Sequence, residues 1–244
     1  MIMARKIKID NAILKRFKQK SKKQKTSKKI SCRILIVCEG EKTEPNYFKK
    51  FKLINNNSFT YEVRCEGCGE GTMKVVNTAI DLAEKAELSS QPFDSVWAVF
   101  DKDNFTDFNA AIEKAENNNI NTAWSNEAFE LWYLYHFLNR TTKMSRDEYK
   151  KAISDAVNAT GRWRKKRPYE YKKKDEENYN IMMTYGNISN AIKWAKRQHQ
   201  KFTDKKYSNH NPCTTVYKLV LQLQNEDKEL IEAVMNKINP QTNN

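Results

Sequence analysis

The sequence predicts an α/β protein: a parallel sheet of about four strands flanked by helices, with a helical C-terminal extension. Three observations carry this. Short runs rich in β-branched and aromatic residues, Ile34 to Val37 and Val96 to Phe100, read as strands buried on both faces. Between such runs apolar residues recur at helical spacing, so strand and helix signals alternate over residues 33–138. Past Asn139 the strand signals fade and helical patterns remain.

The first strand, 33–38, leads into a helix over about 45–53, where Glu44 precedes Pro45 at a first helical position. A second strand is expected at 59–65. The stretch 72–88 reads as a helix that buries Val75, Val76, Ala79, Ile80, Leu82 and Ala83. The strand 95–101 follows, then a helix from about 107 to 117 with Phe108, Ala111, Ile112 and Ala115 turned inward. A brief strand around 121–124 precedes a helix over 127–138. This β-α-β-α-β-α-β order predicts right-handed crossovers between parallel strands. Beyond it, 146–157, 188–200 and 214–238 are expected to be helical. The expected organisation is a basic arm over 1–30, an α/β core over 31–140 and a helical, basic region over 141–244.

A chain of 244 residues with 39% hydrophobic composition is long enough for one substantial core. Its mean hydropathy of -0.86 and 30% charged residues argue against a membrane protein, and no apolar run approaches the ~20 residues a span needs. The Lys-rich N-terminus lacks the apolar centre of a signal peptide, so a cytoplasmic protein with reduced thiols is expected. Cys65 and Cys68 with His210 and Cys213 would make a zinc site of unusual spacing; a glycine-rich turn through Gly67, Gly69 and Gly71 is the preferred reading.

The net charge of +14 is unevenly placed. Residues 1–30 hold twelve Lys/Arg against one acid, Asp10, leaving +3 for the rest of the chain. Such an arm fits phosphate contact, with the solvated tail as the alternative. Ile9, Ile13, Leu14 and Phe17 recur within it at roughly helical spacing. A second basic segment, Arg162 to Lys174, packs eight Lys/Arg around Trp163, Tyr169 and Tyr171. Arg162, Trp163, Arg164, Lys165, Lys166 and Arg167 are its candidate nucleic-acid contacts, since basic residues interleaved with aromatics suit single strands. The alternative is a loop whose aromatics tuck onto the body.

Both leading strands end in acids. Parallel in one sheet, they bring Glu39, Asp101 and Asp103 to its carboxyl edge, where α/β proteins place ligands. Carboxylates gathered without a compensating Arg repel one another, and a hard cation such as Mg²⁺ or Mn²⁺ relieves that. Asp101 and Asp103, two residues apart, are expected to share a cation, with Glu39 as a further ligand or general base. Glu41 and Glu44 are reserve ligands or helix-start acids, Lys42 and Lys102 candidate phosphate contacts or local counter-charges. Glu127 and Glu130 lie three apart on one helix face, and Glu130 is expected to face the cluster. His136 reads as a satisfied core histidine, His210 as a loop residue available to substrate.

An Asp-x-Asp after a strand is weak alone; paired with Glu39-Gly40 on an earlier strand it resembles the Toprim domain of topoisomerases, primases and OLD-family nucleases. The blocks Ile34-Leu-Ile-Val-Cys-Glu-Gly-Glu-Lys-Thr-Glu-Pro-Asn-Tyr-Phe48, Phe100-Asp-Lys-Asp-Asn-Phe105, Ser125-Asn-Glu-Ala-Phe-Glu-Leu-Trp-Tyr-Leu-Tyr-His-Phe137 and Asn211-Pro-Cys-Thr-Thr-Val-Tyr217 resemble, in order, the signature of the RloB-like family. Glu127 stands where Pro is common and Cys213 where Ser is common; neither touches the acidic set. The resemblance implies a Toprim-like, Mg²⁺-dependent nuclease of bacterial defence loci, often encoded beside an ATPase. A non-catalytic nucleic-acid-binding adaptor is the alternative from another class. Nucleotidyl transfer would use the same metals, and no sequence feature recommends it over hydrolysis.

Overall fold

The computed structural model describes residues 30–51, 59–67, 71–224 and 228–238. The basic arm, Cys68 and the side chain of Cys65 lie outside the described parts. Four parallel strands, β1 (Ile30–Cys38), β2 (Phe59–Gly67), β3 (Ser95–Asp101) and β4 (Asn121–Asn126), form the sheet. A fifth, β5 (Cys213–Thr214), joins antiparallel to β4, giving the order β2-β1-β3-β4-β5. The chain thus leaves β1 toward one side for β2 and returns past it for β3. The carboxyl ends of β1 and β3, which carry Glu39 and Asp101, flank the point where the winding reverses.

Alternation along β1 divides the interior. Leu35 and Val37 face α2 (Thr72–Leu88) and α3 (Phe108–Asn117), packing with Val75, Val76, Ala79, Phe108, Ala111 and Ile112. Ile34 and Ile36 belong to the opposite layer, with Tyr47 and Phe48 of α1 (Thr43–Phe48) and Leu131, Trp132 and Leu134 of α4 (Glu130–Tyr135). Period-2 alternation lets a strand with no polar face feed two cores, and each buried Ile, Leu or Val contributes about 1.5–3 kcal/mol.

The later helices close the second layer. In α5 (Glu148–Ala159), Tyr149, Ile153 and Val157 are buried; α6 (Asn178–Tyr185) adds Met182, α7 (Ile188–His199) adds Ala191 and Ala195, and α8 (Val216–Leu223) adds Val216, Leu219 and Val220. α9 (Lys228–Ile238) ends the described chain. Asn187 caps α7 by accepting from the Asn190 N–H at 2.9 Å, and Lys196, Arg197 and His199 occupy its last turn, where the macrodipole favours cations. No described helix is long and apolar enough to cross a membrane.

Three expected elements differ. The single helix over 214–238 is instead β5, α8 and α9, because the Thr215 N–H donates to the Trp124 carbonyl at 2.8 Å and ties the chain to β4 before helix can begin. The helix over 127–138 shortens to Glu130–Tyr135, flanked by i to i+3 hydrogen bonds such as Leu131 N–H to the Ala128 carbonyl and Phe137 N–H to the Leu134 carbonyl. The helix expected over 45–53 is Thr43–Phe48. α6 had no counterpart among the expected elements.

Candidate active site

Glu39 leaves the end of β1 with its N–H donating to the Val99 carbonyl at 2.8 Å, which continues the sheet ladder by one residue. Its Oε2 accepts from the Asp101 N–H at 3.0 Å, so the Glu39 carboxylate is tied to the main chain at the end of the neighbouring strand. Glu39, Asp101 and Glu44 line one cleft of about 440 Å³ with Glu41, Lys42, Arg146, Lys173 and Lys174. Glu44 enters it from the first turn of α1. Gly40 permits this: a Cβ there would collide with the Glu44 Oε2. Glu130 stands at the start of α4, buried, its Oε1 accepting from the Tyr171 hydroxyl at 3.0 Å and lying 3.8 Å from Lys173 Nζ.

The electrostatics are those of crowded acids. Burial raises the Asp101 carboxyl well above the usual carboxylate range, and the charges of Glu44, Glu130 and Glu39 push the same way. Glu44 is raised to about 7, chiefly by burial and then by Glu130. Glu39 is raised by burial, partly offset by the hydrogen bond from Asp101. Glu44 Oε2 and Glu130 Oε2 are buried without a hydrogen-bond partner. A buried carboxylate oxygen left unpaired is costly, and all-oxygen donors of this kind suit a hard divalent cation. The donor set therefore fits Mg²⁺ or Mn²⁺ chemically, although among the described residues no three His, Cys, Asp or Glu converge closely enough to form a ready metal site.

The remaining candidates separate. Asp103 does not line the cleft; it takes φ +38° and its carboxylate pairs with the Arg146 guanidinium. The Lys102 Nζ donates to the Asp103 carbonyl at 3.0 Å rather than into the cleft. Glu41 and Lys42 are exposed on the cleft wall. Glu127 lies before α4 instead of sharing a helix face with Glu130, and its Oε2 accepts from the Arg146 N–H at 3.1 Å. His136 is a satisfied core residue: its Nδ1 is 2.9 Å from the Trp132 carbonyl and burial lowers its pKa to about 4. His210 is not available to substrate, being buried, stacked on Phe202 and 3.0 Å from Asp204.

The basic segment 162–174 behaves differently at its two ends. The Arg162 guanidinium donates to the Thr184 and Tyr185 carbonyls, which occupies it at the end of α6. The Trp163 indole N–H donates to the Arg167 carbonyl at 2.9 Å, and its ring packs on Tyr169 and Tyr185, so the aromatics tuck onto the body. Arg164, Lys165, Lys166 and Arg167 are exposed, Lys165 lying over the Trp163 ring. The far end turns back into the site, where Tyr171 meets Glu130 and Lys173 and Lys174 line the cleft. Sequence reasoning missed Arg146, Tyr171 and Lys173 as partners of the acids. Their signal was present only as charge pattern, and the acids are not without compensating cations as expected.

Comparison with curated proteins and with solved structures found no match. The family model described as RloB-like protein matches residues 34–223, a span from β1 to the end of α8 that includes every acid of the cleft. The chain belongs to the RloB-like family.

Proposed function

We propose that the protein is a divalent-metal-dependent nuclease of the Toprim type that hydrolyses phosphodiesters in antiphage defence, with Mg²⁺ or Mn²⁺ as cofactor and an ATPase as partner. The observation that carries it is the cluster of Glu39, Glu44, Asp101 and Glu130 at the winding reversal of a parallel sheet, with two carboxylate oxygens buried and unpaired. Glu39, Glu44 and Asp101, which would have to draw closer together than they stand here, would hold the cation, and Glu130, fixed by Tyr171, would complete the negative field. When bound, the metal supplies Lewis acidity at the phosphoryl and leaving oxygens. In the alternative where it stays off the cation, Glu39, half-buried and with its proton affinity raised, is suited to accept a proton from an attacking water.

Incubating the purified protein with single- and double-stranded DNA, RNA and tRNA, in Mg²⁺, Mn²⁺ or EDTA, alone and with the product of any ATPase gene found beside its own, tests this. Metal-dependent cleavage is expected. Asp101→Ala should lower it by about 10³-fold or more while thermal unfolding stays cooperative. Cleavage by that variant at the parent rate would sink the assignment. The exposed basic run Arg164 to Arg167, which needs no turnover to serve, favours a second reading, a non-catalytic nucleic-acid-binding adaptor. Metal binding without turnover, with the ATPase present, would select it.

A further inference from the structure

We propose that Arg146 and Lys173 form an anion site beside the carboxylates that takes a phosphate of a polynucleotide backbone, with Asp103 acting as the positioning residue for Arg146. The inference rests on the nuclease reading and extends it to substrate recognition. Both cations line the acidic cleft, and both line a second cavity of about 280 Å³ with Glu130, Tyr149, Lys150 and Tyr171. Because the same two cations line both spaces, a strand running from one to the other would present a phosphate to both. Their side chains are 37% and 42% exposed, which leaves the charged heads within reach of a ligand.

Each is held from behind. The Arg146 N–H donates to Glu127 Oε2 at 3.1 Å, and its guanidinium pairs with Asp103. The Lys173 carbonyl accepts from the Thr43 hydroxyl at 2.9 Å, and the preceding Lys172 carbonyl accepts from the Asn178 side chain at 2.9 Å. That anchoring fixes the backbone while Nζ stays ion-paired with Glu130 at 3.8 Å, too long for a hydrogen bond, so its N–H donors can turn to a further acceptor. A guanidinium fork and an ammonium placed together match a tetrahedral oxyanion in shape and charge. Tyr149 supplies an independent indication of a ligand. Its hydroxyl is buried and unpartnered, on a residue that lines the second cavity.

The test separates phosphate recognition from turnover. Binding of a labelled six-nucleotide single strand to the full chain is measured by anisotropy in EDTA and in Ca²⁺, with inorganic phosphate and a mononucleotide as competitors. Mn²⁺ affinity is measured by calorimetry on the same proteins. Arg146→Ala and Lys173→Ala are each expected to weaken oligonucleotide binding about tenfold while Mn²⁺ affinity holds or rises, and Arg146→Lys should recover part of the loss. Asp103→Asn should weaken the oligonucleotide and spare Mn²⁺. Competition by the mononucleotide alone would make the ligand a terminal phosphate and overturn the backbone assignment. Parent-like oligonucleotide binding by Arg146→Ala and Lys173→Ala overturns the site. Loss of Mn²⁺ binding in Asp103→Asn makes Asp103 a ligand and overturns its positioning role. None of these readouts requires cleavage, so an inactive protein that shows the expected binding pattern would count against the nuclease and not against the phosphate site.

Discussion

Glu44 has a proton affinity raised to about 7 by burial and by the neighbouring Glu130 charge, and Asp101 and Glu39 are shifted in the same direction. Each binds its proton more tightly in the folded protein than in the unfolded chain. The associated stability is therefore present below the ordinary carboxylate value of 4.5 and is lost as pH rises through about 7. In EDTA the melting temperature should fall between pH 5 and pH 8, by roughly 5 °C or more, and Glu44→Gln should flatten that slope. Mg²⁺ should reverse it, stabilising more at pH 8 than at pH 6, because a cation competes with protons for the same oxygens. A melting temperature that rises with pH in EDTA would contradict the crowding of acids. Tyr171→Phe removes the hydroxyl that donates to Glu130 without altering the ring. The loss should be about 1–2 kcal/mol in urea denaturation, since the acceptor is left short of a partner in a buried place. An unchanged midpoint would mean that the Glu130 oxygen is satisfied without it.

The segment 162–174 shows why some elements declare themselves in sequence and others do not. β1 and β3 were legible because a strand buried on both faces needs a continuous apolar run, and the acids ending those runs marked the carboxyl edge of the sheet. α2 and α3 were legible through helical spacing, with Val75, Val76, Ala79, Phe108, Ala111 and Ile112 buried where the pattern placed them, while Ile80, Leu82 and Ala83 are only partly buried at the edge of that layer. β5 was not, because two residues carry no period; its pairing depends on Ser125 and Thr214, whose hydroxyls meet at 2.9 Å across 89 positions. The same holds for Arg146 and Lys173, whose partners Asp103, Glu127 and Glu130 come from the β3–α3 loop, the β4–α4 loop and α4, so their role follows from packing alone. Trp163 read from sequence as a stacking platform, yet its indole N–H and ring are already engaged. Trp163→Ala should accordingly destabilise the fold by about 2 kcal/mol, as expected of a half-buried aromatic. Single-strand and duplex binding should weaken alike. A selective loss of single-strand affinity at unchanged stability would restore the stacking role.

Along the chain the basic charge is concentrated in two segments apart from the cleft acids in sequence. Twelve Lys/Arg lie in residues 1–30, and Arg164, Lys165, Lys166 and Arg167 form an exposed basic run on the body. A polyanion drawn by such a field meets four acids alongside four cations in the cleft lining, so general affinity and productive seating depend on different groups. Affinity should fall steeply with salt, because each neutralised phosphate releases about 0.9 counterion on duplex and ~0.7 on single strands. Removing residues 1–29 should reduce both the affinity and the slope of its logarithm against log salt, by several contacts, without changing Mn²⁺ affinity. Neutralising the four exposed residues of the loop should reduce the slope further, by at most about one contact per residue. Filter binding on duplex and single strands from 0.05 to 0.5 M salt, a span of about tenfold chosen to resolve such slopes, distinguishes the contributions. If the truncated chain keeps the full slope, the arm carries no phosphate contacts and recognition rests on the loop and on the Arg146 and Lys173 pair.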